Sequence, residues 1–335
     1  MAKEQFREWN PKENIRVKYK YGENKDKIGY WESNMTDLQK WSDNILEEHE
    51  AIDIRLTNRQ FYYQLVGKNL IPNADEIYKR ICVFLTDSRY AGRIDWDFIE
   101  DKERESEKPN DWKDVNSIIQ SAIYSYRLPR WQDQEYYLEM YCEKKAGINT
   151  LKPIADKWHI HFGFNKGYSS ASAMYELSKR VAEQIEDRKK VRILYFGDHD
   201  ASGLDMIRDI HTRLCEFLIG GDKVTDILGD DEDNPNFKVI PIALSMEQIK
   251  KWNPPPNPAK MTDPRAKWYI AKFGKVSWEL DSLKPLELRK LAEGSVMEYI
   301  DVDKYNIWIK REEKEKEALR DFRKKLSKEK KWGKK

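Results

Sequence analysis

The spacing of apolar residues changes character partway along the chain. From Met35 to His49, MTDLQKWSDNILEEH places apolar or aromatic residues three to four apart, the period of an amphipathic helix. The rhythm continues through LTNRQFYYQLVGKNL, which opens on a Thr57 or Asn58 cap, and through IPNADEIYKRICVFLTDSRYAG, which follows a Pro-Asn break. IDWDFIED closes this compact helical stretch. DKERESEKPND, Asp101 to Asp111, is polar throughout and reads as a linker, with a helix expected from Val115 to Tyr126.

From Tyr136 strand and helix patterns alternate. YYLEMYCEK reads as a strand, KAGINTLKPIADKWH as a helix, IHFGFNKG as a second strand, SSASAMYELSKRVAEQIED as a helix, and VRILYFGDHD as a third strand. This order predicts a parallel sheet with right-handed crossovers, hence an α/β fold. GLDMIRDIHTRLCEFLI adds a helix and FKVIPIALS a fourth strand. PPPNPAKMTDPRAK reads as a Pro-rich excursion, and SWELDSLKPLELRKLAEGSVMEYI as a closing helical layer. The short N-terminal helices joined by tight turns suggest a helix-turn-helix or winged-helix unit. The expected divisions are an N-terminal extension over 1–50, the helical unit over 51–110, the α/β domain over 130–300 and a basic tail over 301–335.

Composition narrows the picture. In 335 residues, 39% hydrophobic content with 12 Trp and 18 Tyr argues against disorder even though 36% of residues are charged. Cys82, Cys142 and Cys215 lie far apart, which suggests neither a disulfide framework nor a zinc site. No apolar run approaches membrane-spanning length and MAKEQFREWN lacks a signal-peptide core, so a cytoplasmic location with no membrane partner is expected. The net charge of +2 is uninformative, but KREEKEKEALRDFRKKLSKEKKWGKK at the end is basic, fit to hold phosphates or to form a salt-bridged solvated helix.

The sharpest chemical signal is ILYFGDHDASGLDM, an apolar strand ending in Asp198 and Asp200. Residues i and i+2 share a strand face, so both carboxylates point together at the carboxyl end of the strand, where open α/β sheets bind ligands. Mg²⁺, a hard cation that takes oxygen ligands, is the natural partner for such a pair. The alternative is that the aspartates cap the helix starting near Ser202. His199, at i+1, faces the other way and is expected to pack. Glu143, at the end of the first sheet strand, adds a third carboxylate.

Glu143 followed by Asp198-His199-Asp200, with Gly203 behind, resembles the Toprim domain of topoisomerases, primases and several nucleases. Upstream, Arg59-Gln60-Phe61-Tyr62-Tyr63 resembles the R-x-x-[FY]-Y motif of the topoisomerase VI A subunit and the related meiotic double-strand-break transesterase. Ser88-Arg89, Glu143-Lys144 and Lys166-Gly167-Tyr168-Ser169 are similar to further motifs of that family. Ser169 stands where the family usually has proline, and Ala-Ser-Gly follows the aspartates where it has Pro-Tyr-Gly. The likeness runs from about Leu56 to Leu286 and is greatest to compact stand-alone A-subunit homologues.

This resemblance implies a winged-helix (5Y-CAP-like) domain followed by a Toprim domain. It implies type IIB topoisomerase-like cleavage of double-stranded DNA, with Tyr63 as nucleophile, Arg59 beside it, and Mg²⁺ held by Glu143, Asp198 and Asp200. Arg89, Lys144 and Lys166 would contact DNA. It further implies a homodimer in which Tyr63 meets the partner's metal site, and a nucleoid-associated location. With no Bergerat-type or Walker A segment in the chain, any ATP coupling would need a separate ATPase subunit. A Toprim nuclease that hydrolyses DNA without a covalent intermediate, and a non-catalytic DNA-binding protein, remain alternatives. Trp278-Glu279-Leu280-Asp281 reads as a structural corner whose acids would also suit a supporting role around a metal.

Overall fold

The computed structural model describes residues 9–22, 25–52, 54–99, 111–143, 147–164, 169–219 and 236–328. Two strands, β1 (Asn14–Tyr21) and β2 (Lys27–Asn34), form an antiparallel hairpin within the expected N-terminal extension. The sequence pattern that builds it is the alternation of Ile15, Val17 and Tyr19 with Arg16, Lys18 and Lys20. Helix α1 (Met35–Glu50) follows at once, its first turn capped by the Asn34 side chain, which accepts from the Asp37 amide.

Helix α2 (Asn58–Gly67) opens on a reciprocal capping box between Thr57 and Gln60. Helix α3 (Asp75–Tyr90) is tied to it by Tyr62, whose hydroxyl accepts from the Ala74 amide at 2.7 Å. Ile15 and Trp31 of the hairpin join Leu38, Phe61, Leu65, Ile81 and Phe84 in one core.

The second half holds helix α4 (Val115–Ser125) and a parallel four-stranded sheet. Its strands are β3 (Tyr136–Cys142), β4 (His161–Phe164), β5 (Lys190–Phe196) and β6 (Phe237–Ala243), in spatial order β4-β3-β5-β6. Helices α5 (Ile148–Trp158), α6 (Ala171–Glu186) and α7 (Ala201–Ile219) make the crossovers. The period of two sorts β5 between layers: Leu194 and Phe196 pack toward α5, while Val191, Ile193 and Tyr195 pack toward α6 and α7. The strand order reverses between β3 and β5, making a topological switch point of the kind where such sheets bind ligands.

After β6 come α8 (Met246–Trp252), then β7 (Asn257–Pro258) paired antiparallel with β8 (Val276–Ser277) around α9 (Ala266–Phe273). Helix α10 (Pro285–Met297) packs against α5. Helix α11 (Val302–Lys328) lies in the segment expected to be a basic tail, but it is a docked element rather than a free one, packing on α4. Glu312 is its anchor: 2% exposed, it takes two hydrogen bonds from Arg130, one from Lys316 and one from the Leu128 amide. Among the described residues no helix is long and apolar enough to cross a membrane.

Burial opposes the Glu312 charge, but Arg130, Lys316 and the Leu128 amide hold its pKa down at about 2, below the ordinary 4.5. A depressed carboxyl stabilises the fold fully above its unfolded value, and loses that effect as pH falls toward the folded value. Glu312→Gln should therefore cost about 3 kcal/mol at neutral pH, the order expected for breaking a buried ion pair. Denaturant melts of variant and wild type should converge as pH drops from 4.5 toward 2.

Candidate active site

The end of β3 and the end of β5 meet at the switch point. The Glu143 amide donates to the Phe196 carbonyl at 2.9 Å, and Glu143 Oε2 accepts from the Asp198 amide at 2.8 Å. Two glycines make the approach feasible. A Cβ on Gly203 would stand 2.2 Å from the Asp198 carbonyl oxygen and 3.1 Å from Glu143 Oε2, and one on Gly197 would stand 3.0 Å from that same carboxylate oxygen. Any side chain at 203 would push α7 away from the strand end.

Asp198 and Asp200 are both buried. Asp198 Oδ1 accepts from the Leu280 amide at 2.9 Å. Asp200 caps α7, its Oδ1 accepting from the Gly203 amide at 2.8 Å and the Ser202 hydroxyl at 2.7 Å, while Oδ2 meets the Lys260 ammonium at 3.1 Å. Against the upward push of burial, the Gly203 amide, Ser202 and Lys260 hold its pKa below the ordinary carboxylate range. The capping role that the sequence left open is thus real for Asp200.

His199 faces away as expected. Its backbone pairs with Trp278, its Nδ1 lies 2.8 Å from the Tyr269 hydroxyl, and its ring packs on Tyr269, Phe273 and Trp278.

As donors the three carboxylates suit Mg²⁺ in kind, being hard oxygen ligands at one strand-end junction. In pose they are engaged otherwise: among the described residues no three His, Cys, Asp or Glu side chains converge as a metal cluster. Protein N–H groups and the Lys260 ammonium meet the carboxylates in this arrangement.

Arg59 and Tyr63 come together on one face of α2, as a spacing of four dictates. Arg59 Nη2 lies 3.4 Å from the Tyr63 hydroxyl, and Asn257 Nδ2 donates to the same oxygen at 2.8 Å. Arg59 also grips Glu279 through both oxygens, at 2.7 and 3.2 Å. Although burial opposes its charge, Glu279 and Tyr63 raise the Arg59 pKa above its ordinary value. Tyr63 is 1% exposed. Burial pushes its phenol up to about 12, the Glu279 carboxylate adds to the rise, and Arg59 and Asn257 pull the other way.

The two expected sites share a segment. Leu280 donates to Asp198, the preceding Glu279 holds Arg59, and α2 packs on the turn Leu280–Ser282. Glu279 therefore supports the nucleophile candidate more directly than any metal. Asn257 and Lys260, both from the Pro-rich excursion, were not foreseen; nothing but their polarity marks them in the sequence.

Arg89 is not brought to this junction. Its guanidinium stacks over Trp96 at 5.0 Å, and it sits about 16 Å along α3 from Tyr78, the residue that Arg59 overlies. Lys144 and Lys166 lie outside the described residues, as do Gly167 and Tyr168.

No protein-family model matches the chain, and a search of curated proteins finds no relative.

Asp200→Ala should lower stability by about 1 kcal/mol through loss of the α7 cap, whereas Asp200→Asn should stay within a few tenths because an amide oxygen caps as well; thermal melts distinguish the two. Glu279→Gln should bring the Tyr63 phenol down from about 12 toward its ordinary 10. Carbon NMR of ring-labelled tyrosine, assigned with Tyr63→Phe, reads that change.

Proposed function

We propose that the protein cleaves double-stranded DNA through attack by Tyr63, in the manner of the topoisomerase VI A subunit that its motifs resemble. In this reading the N-terminal helices form the winged-helix (5Y-CAP-like) unit and the parallel sheet forms the Toprim domain. The observation that carries it is the convergence on one phenol oxygen of two donors, Arg59 and Asn257, held by the segment that also engages Asp198.

Two donors on a phenol oxygen favour the phenolate, and a cation on a scissile phosphate would favour attack. Arg59 is suited to both tasks, since its fork holds Tyr63 and a carboxylate at once and binds phosphate by the same geometry. In the step, Tyr63 Oη forms a bond to phosphorus and the bond to the 3′ oxygen breaks. The phenol loses its proton and the leaving oxygen gains one, giving a 5′-phosphotyrosyl end and a 3′-hydroxyl. Glu143, Asp198 and Asp200 would hold Mg²⁺, which when bound supplies stabilisation of charge on phosphate oxygens. A homodimer, and a separate ATPase subunit for any ATP coupling, belong to the same reading.

One observation favours the second reading, a Toprim-type nuclease acting by hydrolysis. Tyr63 is buried and its phenol is pushed up to about 12, so the hydroxyl is neutral and enclosed at physiological pH.

Supercoiled plasmid incubated with protein and Mg²⁺, then denatured with detergent, separates the two. Protein attached to 5′ ends, released by protease and absent with Tyr63→Phe, is the expected result; undiminished cleavage by Tyr63→Phe would select hydrolysis. Asp200→Asn should lose Mg²⁺ binding by calorimetry while keeping its fold.

A further inference from the structure

The hairpin β1–β2 lies outside everything assigned so far. One of its faces is buried: Ile15 and Trp31 enter the core of the helical unit, with Val17 and Tyr19 packed against it. The hairpin is also pinned at both ends, by Arg80 to Glu13 at 2.8 Å and by Lys25 to Asp75 at 3.2 Å. It is a fixed ribbon.

The opposite face follows from the register. Arg16 pairs with Glu32, Lys18 with Tyr30 and Lys20 with Ile28, so these six side chains share the outer surface. Of these six only Glu32 is acidic, and it sits at the base of the ribbon with Asn14 and, at 4.0 Å, Arg16, while the turn at the tip carries Asp26 beside Gly22. Toward the tip, Lys18 and Lys20 have no carboxylate partner among the described residues. Tyr30 is 59% exposed with the Arg16 guanidinium 5.1 Å over its ring, and Ile28 is 49% exposed. Lysines on an edge ribbon also block unwanted strand pairing, but an exposed tyrosine and isoleucine between them serve no such end.

We propose that this outer face is a docking surface for duplex DNA. The major groove admits a two-stranded β-ribbon. The three cations at every second residue of β1 recur about every 6.8 Å, a row able to follow a phosphate backbone, and Tyr30 offers a hydroxyl to phosphate or sugar. Because the ribbon is already ordered, binding need not order it. The inference shares its partner with the proposed cleavage activity, but it concerns affinity and not the chemical step.

The test is fluorescence anisotropy of a labelled random-sequence duplex with metal ions chelated, across a salt series. Each neutralised phosphate contributes roughly 0.9 to the slope of log affinity against log salt. The triple variant Arg16→Ala, Lys18→Ala, Lys20→Ala should lose about 2 to 3 of that slope and bind at least tenfold more weakly at low salt, with an unchanged melting temperature. Tyr30→Ser should weaken binding with its slope intact. An unchanged slope and affinity in a folded triple variant overturns the proposal, as does a wild-type protein that binds anionic vesicles but no duplex. The plasmid assay is read separately. Covalent adducts with an unaltered triple variant would leave cleavage standing and remove the ribbon, whereas a changed slope without adducts would do the reverse.

Discussion

The hydrogen bond from the Leu280 amide to Asp198 Oδ1 is the contact on which the candidate site depends. A buried carboxylate must find donors or go unsatisfied at a cost of several kcal/mol. Asp198 finds one in a backbone that arrives from a different part of the chain. That demand draws the Trp278–Ser282 segment onto the end of β5, where the mutual hydrogen bonds of His199 and Trp278 secure it. Once there, Glu279 faces α2 and takes the Arg59 guanidinium. The sheet and the N-terminal helices are thereby joined at the residues of the candidate site.

The same joint sets the state of Tyr63. Arg59 and Asn257 favour its anion, while burial and Glu279 oppose it, and the outcome near 12 says that burial and the carboxylate prevail. The resting phenol is therefore neutral. Lys260 plays a matching part on Asp200, meeting a buried carboxylate with an ammonium from a surface loop. Both pairs place a cation beside the group that would handle phosphate, so a polyanion entering the site would compete with Glu279 and with Asp200 for cations already at hand.

The parts of the fold visible in the sequence were those with a strong local period. The buried run VRILYF, the amphipathic helices and the cap at Thr57 follow from neighbours a few residues apart. The hairpin over 14–34 was not foreseen: Ile15, Val17 and Tyr19 alternate strictly with cations, but the density of charge hid that period within a stretch read as an extension. The C-terminal helix is largely exposed and laced with ion pairs, as its charges suggested, but its inner face buries Glu312 among three cations and an amide.

Adjacency along the chain was enough to pair Arg59 with Tyr63, since the helix period is set by local backbone geometry, whereas Asp198 and Asp200 lie beyond the end of β5 and take separate partners. Folding had to supply Asn257, Lys260 and Glu279, which lie 194, 60 and 220 residues from the groups they touch. No periodicity links positions so far apart. They meet because buried charges and hydroxyls require partners, and which polar side chain answers that need is settled only when the loops after β6 close over the sheet.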